Sequence, residues 1–267
     1  KIVENILAQR KQYLKDLIES VKSPTVINYK VLTGTACISL IHEVLRHQFD
    51  LLIKHADNGG FMQRLFGSLD MHLLRKCPVP VWLLKNTESR VNKRILAAVD
   101  VENHYPQHEL GTRHQLNRST LETAGAVAGI ESAELYVVSV WEAIAEDFIH
   151  SGVAITDNDV NRYVDSVSRR YRTNLDALLS AWATDNPQLA QGLASPQSIL
   201  LKGLPRKKIP EFAREIDADL LVMGTVARTG ISGLIMGNTA ESILNELDCS
   251  VLAIKPPGFV SPVKLDQ

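Results

Sequence analysis

Short apolar runs alternate along this chain with stretches of helical periodicity, the pattern of strands interleaved with helices. From Lys93 onward it predicts strands over Lys93 to Asp100, Glu134 to Val140, Ser198 to Lys202, Leu220 to Met223 and Ser250 to Ile254. Between them it predicts helices over Ser119 to Ile130, about Asp159 to Ala183, and Pro205 to Ile216. A further helix after Gly237 has Ile243, Leu244 and Leu247 on one face, Asn238 or Thr239 as its cap and Glu241 in its first turn. Residues 1–85 predict helices over Val3 to Val21, Cys37 to His47 and after Gly67, with strands over Thr25 to Leu32, Leu51 to Lys54 and Val79 to Leu84. Such alternation calls for an α/β fold: a parallel sheet with helices on both faces and ligands outside the carboxyl ends of its strands. Asp100 and Gly224 both stand at such ends.

The pattern repeats. Asp50 to Lys85 has the grammar of Asp219 to Lys255, and an offset of 170 pairs Gly60 with Gly230, Gly67 with Gly237, Val81 with Val251 and Lys85 with Lys255. Before Gly60 the match slips by one residue, so the place of Gly224 falls to Lys54 or His55, and Asp57 stands near the place of Ala227. A carboxylate and bulky side chains there would obstruct a phosphate. The chain reads as a tandem: a first unit over 1–85, a polar linker over 86–92 and a second unit over 93–267. The first unit has no counterpart of Lys93 to Val140 and so lacks its first two strands, which would leave apolar faces and strand edges uncovered. The expectation is a sequence that starts inside a longer protein.

With 267 residues, 45% hydrophobic content and a formal net charge of −1, the chain is long enough for one large or two ordinary domains, and its charge gives no sign of nucleic acid as a partner. Arg206, Lys207 and Lys208 and the arginines near Arg170 have acids interleaved, as on a solvated helix face. Cys37, Cys77 and Cys249 lack metal-ligand spacing and read as reduced core residues. His55, with Asp57 and His72 nearby, has no second ligand cluster or nucleophile and reads as an ordinary surface histidine. Trp141 and Trp182 border the long helix as core residues or as the wall of a small-ligand cavity. No apolar run reaches the ~20 residues of a membrane span, and the cytoplasm is the expected compartment.

The chemistry is concentrated in Asp219 to Lys255, where a strand, a loop with Gly230 and Gly233, and a helix N-terminus follow one another. Backbone N–H groups and the positive end of a helix can hold an anion, with glycines where a side chain would block its approach. Such glycines also serve ordinary turns. The stretch resembles the signature loop of the universal stress protein family, Gly-x-x-Gly, nine residues, then Gly-Ser/Thr, with Gly224, Ala227, Gly237 and Asn238 in the four places. Ala227 and Asn238 depart from the pattern: the methyl group crowds the loop, while Asn238 keeps a short polar group and Thr239 offers a hydroxyl beside it. HLLRKCPVPVWLLK at 72 to 85, GNTAESIL at 237 to 244 and IKPPGFVSPVKLD at 254 to 266 extend the resemblance to the tandem members, over nearly the whole chain.

The resemblance implies universal stress units with five parallel strands in the order 3-2-1-4-5 and a nucleotide between strands 1 and 4. It implies a nucleotide site of Asp100, Val101, Val138, Ser139, Gly224, Thr225, Ala227, Arg228, Gly237, Asn238 and Thr239. A helix or turn cap is the ordinary role of an acid such as Asp100. The resemblance further implies ATP as ligand, with Mg as a possible companion, pairing of the two units through their last strands, and homodimerisation. The expected function is a stress-responsive adenine-nucleotide-binding protein that uses ATP as a sensing ligand. The alternatives are a dimeric interaction module without nucleotide, and a slow ATPase in which Asp100, Thr225 and Thr239 are the candidates to hold a metal ion or water.

Overall fold

A computed structural model describes residues 1–57, 66–85, 92–143, 156–225 and 236–265. Gly60, Gly230, Gly233 and nearly all of the expected linker lie outside them. In chain order the elements are α1 (Ile2–Ser20), α2 (Ala36–His47), β1 (Leu52–His55), α3 (Ser68–Lys76), β2 (Val81–Leu84), β3 (Arg94–Ala98), α4 (Gln107–Glu131), β4 (Glu134–Trp141), α5 (Asp157–Asp185), α6 (Pro187–Gly192), β5 (Gln197–Lys202), α7 (Pro205–Glu215), β6 (Leu220–Gly224), α8 (Asn238–Glu246) and β7 (Ser250–Ile254).

The strands form one seven-stranded sheet in the order β1-β2-β7-β6-β3-β4-β5. From β3 to β7 the neighbours are parallel and the order is the expected 3-2-1-4-5. The one antiparallel step joins β2 to β7, with Val81 opposite Ala253 and Leu83 opposite Val251. The last strands of the two halves therefore pair within the chain, and the sheet ends at β1 and β5.

Two cores flank the sheet. On one face α2 and α3 from the first half and α7 and α8 from the second share a core with Ile41, Leu73, Leu74, Leu83, Leu221 and Leu244. Five of these are fully buried leucines, each worth roughly 1.5–3 kcal/mol. On the other face α4 and α5 cover the second half alone, around Leu121, Ala124, Val137, Leu175 and Trp182. Trp182 packs against Gly125, where an added Cβ would lie 2.6 Å from the indole. Trp141 is also buried there, 6.4 Å from the ring of Tyr171. All three cysteines are free and buried, and burial pushes the Cys249 thiol up to about 12.

Three sequence expectations need correction. The strand expected over Thr25 to Leu32 does not form, and Val26, Ile27 and Tyr29 are exposed. In the order 3-2-1-4-5 that strand would pair with a second strand, and among the described residues the first half has none to offer. Helix α4 starts at Gln107, twelve residues ahead of Ser119, because buried Asn117 and the ion-paired Arg113 interrupt its apolar face. Helix α6 was not foreseen; proline at its first position suits a short helix start.

Helix α1 forms where expected but has no buried residue, and Ile2, Val3 and Ile6 are more than half exposed. Ile53 on the outer strand β1 is 55% exposed. Among the described residues, no helix of the first half joins the core that α4 and α5 form on their face of the sheet.

Candidate functional site

Asp100 lies two residues beyond the end of β3, at the carboxyl end of the sheet. Asn117 of α4 fixes its backbone from both sides: the Asp100 N–H donates to Asn117 Oδ1 at 3.0 Å, and Asn117 Nδ2 donates to the Asp100 carbonyl at 2.6 Å. The carboxylate accepts from the Tyr105 hydroxyl at 2.8 Å and from Arg113 Nη1 at 3.2 Å. The Arg113 guanidinium lies 3.5 Å from the Tyr105 ring centroid, a cation–π contact, and is also held by Glu109 at 3.0 Å. Burial, and then the Asp100 charge, push the Tyr105 phenol well above its ordinary range.

Val101 is buried behind Asp100, and its carbonyl accepts from Asn174 of α5 at 2.9 Å. Glu102 continues the cluster, accepting from the Tyr171 hydroxyl at 2.7 Å and from the N–H groups of Asn103 and His104. Burial raises the Glu102 carboxyl, but these donors outweigh it and hold the group below its ordinary value. Sequence reasoning missed Tyr105, Arg113, Asn117 and Asn174. Glu109, Arg113 and Asn117 recur at helical spacing, a signal that becomes legible once α4 is extended to Gln107.

Next to β3 runs β6, with Ala98 opposite Met223, so Gly224 and Thr225 reach the same end of the sheet as Asp100. Packing favours glycine at 224: a Cβ there would lie 2.5 Å from Leu116 Cδ2 of α4, so the leucine would have to shift. Thr225 is buried; its N–H donates to the Ile254 carbonyl, and its own carbonyl accepts from the Gly237 N–H at 3.1 Å. Helix α8 then begins at Asn238, with Gly237 as N-cap instead of the expected Asn238 or Thr239, and no side chain caps it. Asn238 and Thr239 are exposed. An uncapped first turn presents backbone N–H groups and the positive end of the helix.

Val138 and Ser139 flank β3 on its other side: Val138 stands opposite Ala98, as Met223 does, which puts Ser139 level with Gly224. Both are inside β4, which continues to Trp141, and successive strand residues face opposite sides of the sheet. Val138 packs in the core shared by both halves, whereas Ser139 is 1% exposed with an unpartnered Oγ. Ala227 and Arg228 lie outside the described residues. The structure thus gathers Asp100, Val101, Gly224, Thr225, Gly237, Asn238 and Thr239 at one end of β3 and β6.

The sequence model of the universal stress protein family matches residues 92–255, more than half of the chain and the whole of this site. The chain belongs to the universal stress protein family. Universal stress protein E of Escherichia coli (strain K12) is 31% identical to it over 230 residues, 86% of this chain and 68% of that protein. The homolog from Haemophilus influenzae is 29% identical over 216 residues, 80% of this chain and 64% of that protein. The chain thus spans about two thirds of the length of these relatives. A solved structure of a functionally unknown protein from Pseudomonas aeruginosa PAO1 matches with a TM-score of 0.67 at 28% identity, over 93% of this chain and 77% of that one. A universal stress protein from Archaeoglobus fulgidus shares the fold, with a TM-score of 0.60 at 17% identity, over 95% of this chain and 80% of that one.

Of the basic residues in the stretches around Arg170 and Lys207, Arg162 pairs with Asp159 at 3.1 Å, Arg170 with Glu102 at 3.5 Å and Lys208 with Glu211 at 2.8 Å. Among the described residues no helix is long and apolar enough to cross a membrane, and no group of three or more acidic, histidine or cysteine side chains could hold a metal ion.

Proposed function

We propose that the second half of this universal stress protein binds an adenine nucleotide, ATP by preference, as a sensing or regulatory ligand. One observation carries the reading: an anchored carboxylate, Asp100, and an uncapped helix N-terminus, that of α8, stand at the carboxyl ends of the adjacent parallel strands β3 and β6. The carboxylate suits ribose hydroxyls, and the helix end suits phosphate oxygens. Asn238 and Thr239 would bind phosphate through their N–H groups, and Asp100 would orient the sugar. A magnesium ion, where present, would neutralise phosphate charge. A ligand at Asp100 would compete with Tyr105 and Arg113 for its Oδ2.

Isothermal titration with ATP and magnesium tests the reading. Binding that is at least tenfold weaker in Asp100→Ala and in Gly237→Val supports it, and the absence of heat with the unaltered chain overturns it. A second reading, an interaction module without nucleotide, draws support from the uncovered apolar residues of α1 and β1. In both readings residues 1–85 are an incomplete universal stress unit in tandem with the second. Pairing of β2 with β7 occupies the edges through which such units would otherwise dimerise, so homodimerisation would use the outer strands β1 or β5.

A further inference from the structure

The first half contains the same strand end and helix start as the proposed phosphate cradle of the second. His55 stands opposite Leu84 at the end of β1 as Gly224 stands opposite Ile254 at the end of β6, and the N–H groups of Ala56 and Thr225 donate to Leu84 and Ile254 in the same way. This register makes Lys54 the counterpart of Met223. The offset that pairs Gly67 with Gly237 makes Asp70 the counterpart of Ala240.

At these two positions the halves differ in kind. Asp70, 0% exposed, directs its carboxylate back over the N-terminus of α3, where Oδ2 accepts from the N–H groups of Gly67 at 3.1 Å and of Asp57 at 2.7 Å. The second donor lies thirteen residues away across the loop, which is more than a capping box requires. Lys54 Nζ donates to Asp70 Oδ1 at 2.8 Å and to Asp57 Oδ1 at 2.5 Å, supplying the counter-charge. Gly67 is held so close to Asp57 that an added Cβ would lie 2.6 Å from the Asp57 Cβ. An anion held by the N–H group after a strand, the helix terminus and an ammonium is the arrangement a bound phosphate would have. In the second half Met223 is apolar and Ala240 has no carboxylate, while the Gly237 N–H turns to the Thr225 carbonyl.

We propose that Asp70, with Lys54 as counter-ion, is a built-in occupant of the first half's cradle and decides that phosphate is taken by the second half alone. The second clause rests on the nucleotide reading above; the first stands on the geometry of the first half. Removing the carboxylate should open a site for an external oxyanion, with inorganic phosphate as the probe.

The experiment compares the full chain, Asp70→Ala, and Lys54→Met combined with Asp70→Ala, which copies the pair found in the second half. Melting temperatures are read against sodium phosphate, with sodium chloride at matched ionic strength. Asp70→Ala is expected to melt about 10 °C lower and to regain about 4 °C more than the unaltered chain at phosphate ten times its Kd. The double variant removes both charges together, so it keeps the fold and shows a smaller gain in phosphate. The proposal is overturned when neither variant gains more from phosphate than the unaltered chain. If the unaltered chain fails to bind ATP, the nucleotide reading falls, and the phosphate response of the variants still decides the role of Asp70.

Discussion

The two halves share one scaffold and use it in opposite ways. In the first, the chain after β1 and the helix terminus close on the protein's own carboxylate, and the carbonyl ends of the strands carry Lys54, His55 and Asp57. In the second, the corresponding helix starts uncapped beside an anchored Asp100. Identical backbone pairing at β1–β2 and β6–β7 shows that this difference lies in a few side chains and in what covers the sheet. On the reading proposed above, the backbone cradle specifies that an anion is held, and the side chains decide whether it comes from within or from solution.

The largest effect that would break this comparison is expected at Asp70. Its replacement by alanine removes a fully buried carboxylate and leaves two N–H groups and the Lys54 ammonium short of a partner, at a cost of about 3–5 kcal/mol in urea unfolding. Ala240→Val, which adds bulk at the counterpart position without a charge, should cost less than half as much. Equal losses at the two sites would mean that Asp70 acts through packing alone.

Next is a pH effect. Lys85 and Lys255 end the two central strands, and each donates across the junction to a helix of the other half, Lys85 to the Leu247 carbonyl and Lys255 to that of Leu74. Burial lowers the Lys255 ammonium to about 8 from an ordinary 10.5. The folded chain therefore gives up this proton before the unfolded chain does, and stability rises with pH between about 8 and 10.5. The total rise from this residue is up to about 3 kcal/mol. Lys255→Met should flatten the profile across that window in denaturant titrations. The buried Cys249 thiol acts in the opposite direction above its unfolded value, equally in both proteins, and cancels in the difference.

Gly224→Ala comes third. The added methyl would meet Leu116, at a cost of about 1–3 kcal/mol, and Leu116→Ala in the same chain should recover most of it. His55, at the counterpart position, is exposed, so His55→Ala should stay within about 0.5 kcal/mol of the unaltered chain. The smallest effect is at the junction itself: Arg75 of α3 meets Glu241 in the first turn of α8 at 2.5 Å, with both side chains more than a third exposed. A double-mutant cycle with Arg75→Ala and Glu241→Gln should return a coupling of about 0.5 kcal/mol, falling with salt. Phosphate affinity measured in the same variants should weaken in Arg75→Ala and recover in the pair, because an unpaired Glu241 repels an anion at that helix end.

The sequence by itself determined the seven strands that form and most of the helices, because apolar periodicity records which face of each element is buried, and the family resemblance supplied the strand order of the second half. The sequence also placed Asp100 and the α8 terminus at one end of the sheet, since both follow directly from where strands stop. Tertiary structure alone decided the rest. The strand expected at Thr25 to Leu32 had the composition but no neighbour, and a strand edge is completed only by another chain segment. Asn117 and Arg113 hid the first turns of α4 because a polar residue satisfied by tertiary hydrogen bonds looks, in sequence, like a solvent-facing one. Gly224 looked like a phosphate glycine and is favoured by the packing of Leu116, a contact between residues more than a hundred positions apart. Periodicity is a local record of burial, whereas partners distant in the chain are fixed only when the sheet brings them together.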